Sequence, residues 1–102
     1  MYNIYLWYNN YPMEFEFDGA KSAANKAKHG IDFVEAQAIW EDLEFIEMPA
    51  KTIDEPRSVV IGRVAGKLWS AVVTYREDAT RIISVRRARR EEVEIYESEG
   101  FR

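Results

Sequence analysis

The chain has 102 residues, 47% of them hydrophobic, with a formal net charge of -4: enough for one compact domain with a core, and too little for two. It holds no cysteine and one histidine, which excludes a disulfide framework and thiolate metal sites and leaves too few nitrogen ligands for an ordinary zinc site. No cofactor is expected, and only a carboxylate site for magnesium stays open as a metal centre.

The first segment, MYNIYLWYNNYP, has neither the basic start nor the apolar centre of a signal peptide, and no run approaches the roughly 18 apolar residues of a membrane span. A cytoplasmic protein without membrane contact is expected. Tyr2, Tyr5, Trp7, Tyr8 and Tyr11 are candidates for stacking on bases, with an edge strand or an oligomer contact as the plainer alternatives. A short strand follows at Glu14 to Phe17. Asp18 can cap a helix running to about His29, ended by Gly30 at a position suited to a left-handed stop. Ala20, Ala24, Ala27 and Ile31 recur at helical spacing and are read as its buried stripe. Lys21, Asn25, Lys28 and His29 form a second, polar and basic stripe.

Asp32 caps a second predicted helix with Phe33, Ala36 and Trp40 on its core face. LEFIEM then alternates as a strand bearing Leu43, Phe45 and Glu47 on one side. After the loop PAKTIDEP come three β-branched runs, SVVIGRVA, LWSAVVTY and TRIISV, with turns at Gly66-Lys67 and in REDA. From Ala88 the pattern turns helical, with Val93 and Tyr96 at i and i+3. The expected fold is α+β, in the order β-α-α-β-β-β-β-α with an antiparallel sheet.

Charge divides along this chain. Residues 1–56 carry 11 acids against 4 Lys and Arg, residues 57–90 carry 9 Lys and Arg against Glu77 and Asp78, and the remainder is acidic again. A ligand feels the local face rather than the sum, so a polyanion can dock on one side only.

FEFDGAKSAANKAKHGIDFVEA, then Arg57, Ile61 and Gly62, then YREDATRIISVRRARREEVEIYE resemble the BrnT toxins of bacterial type II toxin-antitoxin pairs. Val85 stands where that family usually has a small residue, and Phe17 where it often has tryptophan; neither position is charged. The resemblance implies the fold of RelE-type ribonuclease toxins and a BrnA-like antitoxin, a dimeric DNA-binding protein of the ribbon-helix-helix kind, in a 2:2 complex. Met13 coincides with the usual family start, which divides the chain into an extension, 1–12, and a toxin domain, 13–102.

Metal-independent RNA cleavage needs a base to take the proton of the 2'-hydroxyl, cations to stabilise the transition state, and an acid for the departing 5'-oxygen. Histidine is the side-chain type whose ordinary pKa, about 6.5, suits proton transfer near neutrality, and His29 is the only one present. Lys28 and Lys21 can act as cations or carry protons. Arginine's planar fork suits phosphate, which makes Arg57, Arg76, Arg81, Arg86 and Arg87 candidates, with the Tyr96 hydroxyl as a further contact. The candidate catalytic set is His29, Lys28, Arg81 and Arg86; the candidate RNA-binding set is Lys21, Arg57, Arg76, Arg87 and Tyr96. Plain strand alternation puts Arg81 and Arg87 on one face and Arg86 on the other unless a bulge intervenes. The competing reading is a non-catalytic nucleic-acid or protein-binding module whose arginines hold a polyanion or an acidic partner.

Overall fold

The computed structural model describes residues 7–8, 11–12, 14–50 and 55–99. Two short strands near the start of the chain, β1 (Trp7–Tyr8) and β2 (Tyr11–Pro12), pair antiparallel with each other, apart from the main sheet. Tyr2 and Tyr5 lie outside the described residues.

The main sheet has the order β3-β7-β6-β5-β4. Its strands are β3 (Glu14–Glu16), β4 (Ile46–Ala50), β5 (Arg57–Val64), β6 (Lys67–Arg76) and β7 (Ala79–Arg87). The last four form an antiparallel meander, but β3 joins β7 in parallel, so the expectation of a wholly antiparallel sheet is corrected. The reason lies in the connection, because two helical segments separate β3 from the meander and let the chain return in either direction. The fourth strand also starts later than expected and runs through Pro49 and Ala50, leaving Leu43 79% exposed before it.

Strand alternation gives the sheet two apolar faces. Val60, Trp69, Ala71, Val73, Ile82 and Val85 pack under Ile31, Phe33, Ala36, Ile39 and Trp40, which makes the larger core. Val59, Ile61 and Leu68 on the opposite face pack under Tyr96 and Val93 of α2 (Arg90–Glu99). The second predicted helix is a 3-10 helix, Glu35–Glu41, entered through a reciprocal pair in which Asp32 accepts the Glu35 N–H and Glu35 accepts the Asp32 N–H. It approaches the sheet so closely that a Cβ on Gly62 would stand 2.8 Å from the Ile39 carbonyl oxygen. Between β5 and β6, the two turn residues are Ala65 and Gly66, both with positive φ, one position earlier than the sequence indicated.

Helix α1 (Gly19–His29) begins and ends as its sequence requires. Asp18 accepts the Lys21 N–H at 3.0 Å, and Gly30, at φ 87°, donates to the Lys26 carbonyl. Its packing face is a different matter. Ala20, Ala24 and Ala27 are exposed, and the buried residues are Ser22 and Asn25. Because β3 pairs with Ala79 to Arg81, the outer edge of β7 beyond Arg81 has no strand beside it among the described residues. The Asn25 side chain fills that edge, donating to the Val85 carbonyl at 2.9 Å and accepting the Val85 N–H at 3.2 Å. It also donates to the Ile31 carbonyl, and Ser22 accepts the Phe33 N–H. Unpaired buried backbone groups cost more than a few alanine methyls return, so the polar side of the helix turns inward.

Candidate active site

The arginines of β7 are aimed by one irregularity. Val72 pairs with Ser84 and Val73 with Ile82, so Ile83 is an extra residue, a β-bulge. Beyond it the parity of the strand is reversed. Arg81 lies opposite Thr74 and Arg86 opposite Ser70, both on the face that carries α2, whereas Arg87 lies opposite Trp69 on the other face. The alternation inferred from sequence therefore does not apply, and Arg81 and Arg86 share a face. Exposed Arg57, on the same parity of β5 as Val59 and Ile61, joins them.

These cations differ in how free they are. Arg81 is held loosely, its guanidinium 3.5 Å from Glu16, with 31% of the side chain exposed. Arg86 donates both tips of its fork to Glu92 at 2.7 and 2.8 Å. Glu92 is buried and also accepts the Ser70 hydroxyl and the Arg89 N–H, which ties the first turn of α2 to the sheet. The Arg86 guanidinium, with help from those two donors, holds the Glu92 carboxyl down at about 2, and Glu92 in turn raises Arg86. Arg76 stands in a hollow with Glu14, Glu16, Glu77 and Asp78, a poor seat for phosphate. Arg87 lies over the Trp69 ring, 5.5 Å from its centroid.

Tyr96 is buried, and its hydroxyl donates to Asp42 at 2.7 Å. Asp42 also accepts the Arg63 N–H, and the Arg63 guanidinium lies over the Tyr96 ring. Burial, reinforced by Asp42, pushes the Tyr96 hydroxyl up to about 12, so this group anchors α2 rather than moving protons near neutrality.

The α1 candidates border the same strand. Lys26 pairs with Glu35 at 2.8 Å, toward the 3-10 segment that covers the first face. Helical geometry sets exposed Lys21 and Lys28 on the opposite flank of Asn25, and hence along the β7 edge on the side of Arg81 and Arg86. Because Glu16 pairs with Arg81 in the register of β3 and β7, and Asp18 caps the helix two residues later, α1 starts near Arg81. With Asn25 on Val85, the helix then runs along β7, and half-buried His29 comes to its Arg87 end. Sequence reasoning missed Glu92, Ser70 and Asp42, and set Asn25 on a polar stripe without its role against Val85. Glu92 caps the Arg89 N–H three residues before it, but Arg89 has no side-chain acceptor to complete a capping box, so the sequence carried no such signature. Among the described residues, no three His, Cys, Asp or Glu side chains cluster as metal ligands do, and no helix is long and apolar enough to cross a membrane.

This is a small α+β domain whose cations gather along one strand edge, a form suited to a phosphate backbone. Residues 17–92 match the family described as the ribonuclease toxin, BrnT, of type II toxin-antitoxin systems, and the chain belongs to that family. RNA as substrate and a protein antitoxin as partner follow from that membership. Comparison with curated proteins returned no match.

Proposed function

We propose that the chain is a metal-independent endoribonuclease of the RelE-like kind that arrests translation and growth in the cytoplasm, with its site along the β7 edge. The observation that carries the reading is the bulge at Ile83, which brings Arg81 and Arg86 to one face beside the Lys21 and Lys28 flank of α1. His29 or Lys28 takes the proton of the 2'-hydroxyl. The 2'-oxygen attacks phosphorus, the bond to the 5'-oxygen breaks, and a second group returns a proton to that leaving oxygen. Arg81, whose fork is nearly free, clamps the RNA backbone at the start of α1 and so positions the chain; Arg86, oriented by Glu92 and nearer the His29 end, adds charge at the reacting phosphate rather than a two-pronged contact. Arg57 and Lys21 extend the cationic track, and Arg87 lies past its end on the other face of the sheet.

The partner is read as a BrnA-like ribbon-helix-helix antitoxin in a 2:2 complex that covers this track, and the mass of the co-expressed complex in solution checks the stoichiometry. The non-catalytic alternative is favoured by one observation, the engagement of Arg81 and Arg86 in ion pairs. Incubation of the purified chain with RNA in EDTA separates the two. Continued cleavage to 2',3'-cyclic phosphate and 5'-hydroxyl ends supports the enzyme. Cleavage that stops and returns with magnesium overturns metal independence, and salt-sensitive binding without cleavage leaves the binding module.

A further inference from the structure

Between the C-terminal end of α1 and the β5–β6 turn lies a cleft of about 300 Å3, lined by Gly30, Ile31, Glu35, Val64, Ala65, Lys67 and Trp69. That volume sits at the lower end of pockets that hold small ligands, roughly 300 to 1,000 Å3. Ile31, Val64 and the Trp69 ring give it apolar walls, while Lys67 and Glu35 are its charged groups. Arg87 adds a second cation against the same indole, and Gly30 directly follows His29, so the cleft adjoins the end of the strand edge described above. Glu35 receives the Lys26 ammonium on both carboxylate oxygens and the Asp32 N–H on Oε1. A carboxylate oxygen accepts two hydrogen bonds, which leaves Oε2 one acceptor site for an incoming N–H.

We propose that this cleft is a base-recognition subsite that takes one unstacked nucleobase of the RNA beside the cleaved phosphodiester. The proposal rests on the reading of the β7 edge as the RNA site. An apolar cleft with one acceptor and flanking cations, floored by the exposed part of a Trp69 that Arg87 already covers, matches a base carrying a phosphate on each side. A protein side chain would use the apolar walls but has no need of Lys67 and Arg87 together.

The test uses the full chain and two uncleavable 2'-O-methyl oligoribonucleotides of equal length and charge, one complete and one with a central abasic position. The complete one is expected to bind about tenfold tighter, the low end of what one base packed against protein contributes. Val64→Phe, which narrows the cleft, should abolish that difference while leaving affinity for the abasic strand and its salt dependence unchanged. If Val64→Phe does not fold, half-exposed Glu35→Gln serves instead, and should erase the ranking among four strands that differ only in the central base. Equal binding of both strands by the unaltered protein overturns the subsite, as does discrimination that survives folded Val64→Phe, which places base recognition elsewhere. A ranking that survives Glu35→Gln overturns it too. If neither strand binds in a salt-dependent way, it is the RNA reading of the β7 edge that fails.

Discussion

Replacing Glu92 by Gln removes the carboxylate that joins α2 to the sheet and keeps its size. Four donors converge on that group: both tips of Arg86, the Ser70 hydroxyl and the Arg89 N–H. Together they hold its pKa at about 2 instead of 4.5, a displacement that at about 1.4 kcal/mol per unit corresponds to roughly 3 kcal/mol. Gln keeps one acceptor, so the expected loss at pH 7 is about 2 to 3 kcal/mol, or roughly 10 to 20 °C in Tm for a domain of this size. The sign is set by the direction of the shift. A carboxylate depressed in the folded state contributes fully above pH 4.5, and the contribution is lost as pH falls toward 2. Urea unfolding of both proteins at pH 7 and pH 2.5 should therefore show a large difference at the first pH and a small one at the second. Asp18 and Glu35, also lowered, titrate in both proteins and cancel in the comparison. An equal difference at the two pH values would refute the linkage.

His29→Gln should lower the cleavage rate roughly 10²- to 10⁴-fold with little change in melting temperature; near wild-type cleavage would return His29 to a helix-end role and move the proton transfers to Lys28 or Lys21. Arg81→Lys keeps the charge but loses the fork, so kcat should fall while affinity for an uncleavable RNA survives, as single-turnover and binding measurements would show. Asn25→Ala leaves the Val85 N–H and carbonyl without their partner and should cost about 2 to 4 kcal/mol by urea unfolding, whereas Ala24→Ser on the exposed side should cost only about 0.5. Tyr96, raised to about 12, contributes stability that is complete below pH 10 and lost as pH rises through 12, so Tyr96→Phe should flatten that alkaline limb in a pH series of melting curves.

What the sequence determined by itself was local. Asp18 and Gly30 bracket α1 because a cap needs a side-chain oxygen at one end and a left-handed residue at the other, and both requirements are met within a few residues. The β-branched runs marked β5, β6 and β7 for the same reason, and Phe33, Ala36 and Trp40 declared their core face through helical spacing. The basic stretch from Arg57 to Arg90 and the motifs that carry the family resemblance were equally visible. Tertiary structure decided the orientation of each piece. Alanine spacing pointed the wrong side of α1 inward, because the choice rests on Val85, sixty residues away, whose edge groups Asn25 satisfies. Alternation misplaced Arg86, because one unpaired residue, Ile83, inverts the parity of the strand and leaves no mark in composition. Whether an arginine meets solvent or Glu92 depends on how α2 lies across the sheet, and that is settled by the burial of Tyr96 and Val93 against Ile61 and Leu68 rather than by any feature of the arginine itself.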